Sequence, residues 1–427
     1  MDAAMKTGFK KRKSKLNPFV FFDLMMYDSG STASKSLNQL AIEAQSSHDV
    51  GISKQGIDKR FNAQTVSFLK LLIEKQLQCE LNRQLDSAWL NLFNRVVIKD
   101  STRFELPEQY AEHLPGSGGA ASKAGACLQF EFDFKSGQII DLNLTAANRP
   151  DVTDSLQTFS LINPNDLIIR DLGYFAFKSL LNIAEKEAFF ISRLRPKIIV
   201  YELNAGELQP MDFGALYRRM KKYSLTRIEK NVFIGNEPKI PVRLLIDLLP
   251  EEIYQQRVRK ADRKRKSQGY RSSEKFKLMS RFSLIITNVP EDVLPVHIIS
   301  AIYRTRWQIE LIFKIWKSIL GVDHIRNIKY TRWLCILYFK LLMMIVNWSI
   351  IMNKRPLIYK KTNKLISLIK SFKTLFDNIY RLRIELRNDS TGLTRFIAWS
   401  EKILSRNHWL ERKKNKLGLE DIIHLFV

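Results

Sequence analysis

Three carboxylates stand where a sheet-based protein gathers acids for chemistry. Asp100 follows Val96-Val-Ile-Lys and Asp171 follows Leu167-Ile-Ile-Arg, two short apolar runs that end on an acid. In α/β sheets, functional groups collect at the carboxyl ends of strands. The third, Glu310, lies in Ala301–His324, AIYRTRWQIELIFKIWKSILGVDH, with no Gly or Pro before Gly321. If 301–320 is one helix, Tyr303, Arg306, Glu310 and Lys317 share an arc of ~60°. Three carboxylates brought together cannot all stay ionised uncompensated. Oxygen-only donors suit Mg²⁺ or Mn²⁺. Two such ions about 3.5–4 Å apart activate an attacking oxygen and stabilise a leaving one on a phosphodiester. Arg306 and Lys317 would then hold phosphates beside Glu310.

The bland readings are equally concrete. Arg306 and Glu310 make an ordinary i,i+4 helix pair. Asp100 and Asp171 suit strand-end turns. Asp133, Asp141, Asp151, Asp166 and Asp323 are further acids in the same region, so the residues alone do not single out three.

The charge balance supplies a substrate class. The 427 residues hold 69 Lys and Arg against 43 Asp and Glu, a formal charge of +26, with 45% hydrophobic and 11% aromatic residues. The core is of ordinary size, and such excess charge calls for a polyanionic partner, nucleic acid before an anionic membrane. From Arg257 to Lys266 seven of ten residues are basic, which makes Arg257, Arg259, Lys260, Arg263, Lys264 and Arg265 a candidate phosphate-tracking surface. Cys79, Cys127 and Cys335 are far apart, so neither a disulfide framework nor a zinc site is suggested, and a reducing cytoplasm fits. The apolar run Trp333–Met352 contains Lys340 and Asn347 and is expected to be a buried helix rather than a membrane span.

The elements that must position these residues follow from periodicity. Residues 1–92 read as helical, with a basic arm over 1–15, a helix capped by Ser53, and a longer helix over Val66–Leu92. Lys59 and Arg60 follow the Ser53-Lys-Gln start, as in a helix-turn-helix reader of DNA. The loop Pro115–Ser122 is Gly-rich but lacks the Gly-Lys pair of a phosphate-binding loop, so no nucleotide cofactor is expected. Leu128–Phe134 and Ile139–Leu144 alternate around Lys135-Ser-Gly-Gln as a hairpin. The strand over 282–289 is expected to rejoin the sheet left at 194, making 197–279 an insertion.

The spacing Tyr303-x2-Arg306-x3-Glu310-x6-Lys317 resembles the Y-(2)-R-(3)-E-(6)-K signature of bacterial insertion-sequence transposases of the insertion-sequence-four family. Asp100-Ser-Thr, Asp171-Leu-Gly-Tyr-Phe, Phe190-Ile-Ser-Arg-Leu and Ile286-Thr-Asn-Val-Pro are similar to the same family. The resemblance implies an α/β fold. Its ribonuclease-H-like catalytic core would be interrupted by a β-rich insertion, between an all-helical N-terminal DNA-binding domain and a helical C-terminal region. The corresponding expected bounds are 1–92, 93–196, 197–279, 280–352 and 353–427. It also implies that Asp100, Asp171 and Glu310 are catalytic and hold two Mg²⁺ ions, replaceable by Mn²⁺, while Tyr303, Arg306 and Lys317 grip DNA phosphate. The expected reaction is cut-and-paste transposition by a homodimer bound to inverted-repeat ends and target DNA, in the bacterial cytoplasm at the nucleoid, with no membrane partner. A metal-dependent nuclease of the same fold and an inactive DNA-binding copy are the alternatives. Family members can pass through a DNA hairpin supported by a Trp in the insertion. Here 197–279 contains no Trp, which leaves that step open.

Overall fold

A computed structural model describes residues 1–427 apart from 12–13, 27–34, 120, 175, 236, 267–268, 270–271, 412–416 and 426–427, and apart from the side chains of 264–266. The strands are β1 (Val96–Leu106), β2 (Ala124–Asp133), β3 (Ile139–Ala146), β4 (Leu167–Arg170), β5 (Phe189–Arg193), β6 (Val200–Asn204), β7 (Glu207–Pro210), β8 (Arg227–Ile234), β9 (Ile240–Leu248) and β10 (Phe282–Thr287). They hydrogen-bond in the order β3-β2-β1-β4-β5-β10-β9-β8-β6-β7. The α-helices before β4 are α1 (Asp2–Lys6), α2 (Pro18–Met26), α3 (Leu37–His48), α4 (Lys54–Asp58), α5 (Ala63–Leu77) and α6 (Asp151–Gln157). Between β4 and the signature lie α7 (Phe177–Glu185), α8 (Phe213–Lys222), α9 (Glu251–Lys266), α10 (Glu274–Met279) and α11 (Val296–Tyr303). After it come α12 (Trp307–Ser318), α13 (Tyr330–Thr362), α14 (Leu368–Asp377), α15 (Ile379–Asn388), α16 (Gly392–Asn407) and α17 (Leu419–Ile423). The chain is thus mixed α/β.

It divides into two compact units. The first comprises Met1–Asp86, Asp100–Arg149 and Trp307–Glu420. Its axis is α13, which is long and apolar enough to cross a membrane, but 83% of its most apolar window is buried inside the protein. The β2–β3 hairpin packs on it edge to face: Trp348 meets Phe130 at 5.7 Å and Phe132 at 5.4 Å between ring centroids. The hairpin turn needs Gly137, whose φ is +78° and where a Cβ would lie 2.5 Å from Met352 Cγ. Ser53 accepts from the Gly56 amide at 3.2 Å and caps α4. The helix expected over Val66–Leu92 ends at Leu77. Beyond it the backbone finds partners in the hairpin turn, Leu81 N on Gln138 Oε1 and Leu85 N on the Lys135 carbonyl. In the 1–15 arm, Phe9 is buried and stacks on Phe68 at 5.0 Å.

The second unit comprises Ser87–Lys99, Pro150–Arg306 and Asp421–Val427. β4 runs parallel to both β1 and β5. The paired segments Val96–Ile98, Leu167–Ile169 and Phe190–Ile191 are apolar and buried, as befits a parallel ladder covered on both faces. β10 returns antiparallel to β5, with Ile285 opposite Arg193, and also pairs with β9. Residues 200–279 add β6–β9, α8, α9 and α10.

Candidate active site

The stretch 301–320 is not one helix. α11 ends at Tyr303, Arg304–Arg306 form a 3₁₀ turn, and α12 starts at Trp307. Thr305 is the local cause: its buried hydroxyl donates to the Ile302 carbonyl at 2.7 Å. That bond gives the backbone an alternative to continuous α-helix. Tyr303 and Arg306 therefore belong to the second unit, and Glu310 and Lys317 to the first.

In the second unit, Asp171 directly follows β4. Its carboxylate is 40% exposed, and Arg306 Nε lies 3.7 Å from its Oδ1. Arg195 holds the turn after Asp171 by donating to the Leu172 carbonyl from Nη2 at 2.8 Å. Tyr303 is buried, its ring 5.7 Å from the Arg193 guanidinium. Its hydroxyl is buried beside the Arg306 side chain. Burial pushes the Tyr303 pKa up, with Arg306 and Arg193 pulling against it and Asp171 adding to it. The phenol therefore stays protonated at neutral pH and is a hydrogen-bond donor in waiting. Arg193 was not singled out from the sequence; the signal for it was its place on β5 within Phe190-Ile-Ser-Arg-Leu.

In the first unit, Asp100 is half-buried and its Oδ1 accepts from the Ser101 amide at 2.8 Å. It does not end its strand, because β1 runs on to Leu106. It does sit one residue past Lys99, the last residue of β1 registered with β4. Glu310 is half-buried in the first turn of α12. Lys317, two turns on, donates to the Arg103 carbonyl at 3.1 Å, which ties α12 to the strand carrying Asp100. Trp316 anchors the opposite side of α12 against Phe130, 5.1 Å between centroids.

Asp100, Asp171 and Glu310 are each half-buried and each offers only oxygen atoms, the donor type that hard divalent cations take. Among the described residues, no group of three or more His, Cys, Asp or Glu stands at metal-ligand spacing.

The basic candidates divide by environment. Arg259, Lys260 and Arg263 on α9 are exposed, as is Lys59. Arg257 is half-buried and donates to the Phe282 carbonyl at 3.0 Å. Arg60 donates to Ser14 Oγ at 2.5 Å and to the Leu16 carbonyl at 2.8 Å, so its charge secures the N-terminal segment. The side chains of Lys264 and Arg265 lie outside the described residues, as do Arg12 and Lys13 of the arm. Of the aromatic residues in 197–279, Tyr223 is 60% exposed, Tyr254 is buried under Arg281, and Tyr270 lies outside the described residues.

Residues 91–346 match the family model described as a transposase DDE domain. The transposase for insertion sequence element IS231B of Bacillus thuringiensis subsp. berliner is 30% identical over 431 residues, covering 96% of this chain and 90% of the relative. The transposase for IS231F of Bacillus thuringiensis subsp. israelensis is 29% identical, covering 99% and 91%. The transposase for IS1151 of Clostridium perfringens is 25% identical, covering 96% and 90%. The matched span runs from before β1 to within α13 and includes every carboxylate and signature residue described above. The chain belongs to the DDE transposases of bacterial insertion sequences, of the insertion-sequence-four type.

Proposed function

We propose that this transposase excises and reinserts its own element by a cut-and-paste route, with Asp100, Asp171 and Glu310 holding two divalent ions. One observation carries the reading: Asp100 and Asp171 are each the first residue past Lys99 and Arg170, the last registered pair of two neighbouring parallel strands. That supports a ribonuclease-H-like core, as does the hydrogen-bonding order β3-β2-β1-β4-β5. In this reading 1–92 is a DNA-binding domain, 197–279 an insertion and 353–427 a helical C-terminal region. When bound, Mg²⁺, or Mn²⁺ in its place, activates the attacking oxygen and stabilises the leaving one.

The chain's own residues supply the grip. The Tyr303 hydroxyl, protonated and beside Arg306, donates to a phosphate oxygen. Arg306 turns its charge from Asp171 to the same phosphate, a planar fork matched to phosphate oxygens. Lys317, fixed beside β1, holds the adjoining backbone. Arg259, Lys260 and Arg263 follow the duplex along α9, joined by Lys59 from α4. Water cuts the phosphodiester at the element end, and the freed 3′-hydroxyl attacks the target. The reaction is placed in the bacterial cytoplasm at the nucleoid, on a homodimer that pairs two element ends.

The test is Mg²⁺-dependent cleavage of element-end DNA by Asp100→Ala, Asp171→Ala and Glu310→Ala. Each is expected to lose cleavage while keeping end binding, and a variant that still cuts removes its residue from the site. Joining of pre-cleaved ends to target DNA separates a transposase from a nuclease.

A further inference from the structure

We infer that Lys99, Asp154 and Arg170 are positioning residues, a buried ionic cluster that pins the register of β1 against β4 and so sets where Asp100 and Asp171 stand. The inference rests on the reading of those two acids as part of the reaction centre. Lys99 is fully buried, with Nζ 2.7 Å from Asp154 Oδ2 and 3.2 Å from Thr158 Oγ1. Arg170 is also buried and donates from Nη1 to Ser155 Oγ at 2.5 Å and from Nη2 to Thr158 Oγ1 at 3.4 Å. Lys99 and Arg170 are directly opposite each other in the parallel ladder. Two cations thus lie side by side on one face, and both reach to α6 and the turn after it.

Such an arrangement is poor value for stability. Like charges opposite each other repel, and desolvating both is costly where an apolar pair of the same volume is neutral or better. Its use is as a register mark. The rest of the ladder is Val96-Val-Ile against Leu167-Ile-Ile, every residue buried. With both faces apolar, alternation does not distinguish one register from the next, and slippage by one residue meets little resistance. A Lys and an Arg that must both reach one short helix permit a single register. Asp100, the next residue in β1, then leaves from the opposite face of the sheet.

The experiment uses the full chain, Mg²⁺ and a plasmid carrying its own gene with the flanking DNA. The double variant Lys99→Met/Asp154→Leu removes both charges together. It leaves Arg170 on Ser155 and Thr158, and is expected to melt in one cooperative transition and to bind the plasmid with an unchanged salt dependence. Its cleavage kcat should nevertheless fall about tenfold to a hundredfold, with KM for DNA unchanged and more Mg²⁺ needed for half-maximal rate. Wild-type cleavage and Mg²⁺ requirement in a well-folded double variant would overturn the inference. Should the double variant not fold, Thr158→Val removes only the hydroxyl shared by Lys99 and Arg170. It is expected to fold and to cleave about threefold slower or worse, with Thr158→Ser restoring the rate; full activity in Thr158→Val would equally overturn it. Asp100→Ala, run alongside, separates the two failures: if it still cleaves, the reaction centre is misassigned, whereas an inactive Asp100→Ala beside a fully active double variant removes only the cluster.

Discussion

Arg306 Nε faces Asp171 Oδ1 across 3.7 Å, so a guanidinium occupies the ground that the proposed divalent ion would share. The same arginine is needed on the phosphate in the proposed reaction. Arg306→Gln is therefore expected to act with opposite signs on two measurements. Calorimetric Mg²⁺ affinity should hold or rise, because a competing cation has gone. Cleavage should fall by about 10²-fold, the usual loss when one preorganised charge is removed from a transition state. Parallel loss of both would mean that Arg306 supports the metal rather than the phosphate.

The exposed bases of α9 carry a quantitative expectation for binding. Each phosphate neutralised adds about 0.9 to the slope of log affinity against log salt. Arg259→Ala, Lys260→Ala and Arg263→Ala together should lower that slope by roughly 2 to 3. Arg257→Ala should instead lower the melting temperature, since its guanidinium serves the Phe282 carbonyl. An unchanged slope in the triple variant would move the DNA path off α9.

Asp23 is buried in the first unit against Arg383 at 2.5 Å, Arg387 at 2.6 Å and His48 at 2.8 Å. Burial alone would raise its pKa, but the hydrogen bond and charge of Arg383, then Arg387 and His48, hold it below the usual carboxylate range. A folded pKa below the unfolded one stabilises above the unfolded value and is lost as pH falls through the folded one. Asp23→Asn should cost up to about 3 kcal/mol at pH 7, because Arg383 loses its nearer counter-charge and keeps only Glu43, at 3.4 Å. Urea unfolding should show that deficit shrinking in acid. A constant deficit down to pH 2 would deny the ionic origin.

Lys340 reverses the sign. Burial in α13 lowers its pKa to about 8, with Asp323 pulling the other way, while its Nζ donates to the Gly321 carbonyl. The unfolded chain then binds more protons than the folded one from about pH 8 to the ordinary lysine range, and stability rises with pH across that window. Lys340→Met should be more stable at pH 7 by on the order of 2 kcal/mol, after the lost hydrogen bond is set against relief of desolvation. That advantage should fade towards pH 10. Melting curves at pH 7 and pH 10 with equal gaps would contradict it.

Much of this was legible in the chain. The hairpin over β2 and β3 was written in alternation around a Gly-containing turn, and β10 in a short apolar run, because both signals are local. The Ser53 cap was legible because capping is local. The end of α5 at Leu77 was not, since what competes for the backbone is Gln138 and Lys135 of a distant turn. Nor was the break at Arg304–Arg306, where one threonine hydroxyl outweighs an uninterrupted helical pattern. For the candidate site, residue types and spacing were visible, but Lys99 read only as a flank to Asp100. Its meaning depends on Asp154, which folding alone brings within reach.

The 3₁₀ turn between α11 and α12 has a consequence for how such chains diverge. Glu310 and Lys317 are two turns apart on one helix, so a single insertion between them would swing Lys317 by ~100°. Tyr303 and Arg306 are likewise locked to each other by the end of α11 and the turn itself. The interval between Arg306 and Glu310 obeys no common pitch, because the helix restarts at Trp307. The fixed spacing of the four signature residues is therefore more than one helix's pitch would impose: it ties together two separate local structures, a helix end with its turn and the helix that follows.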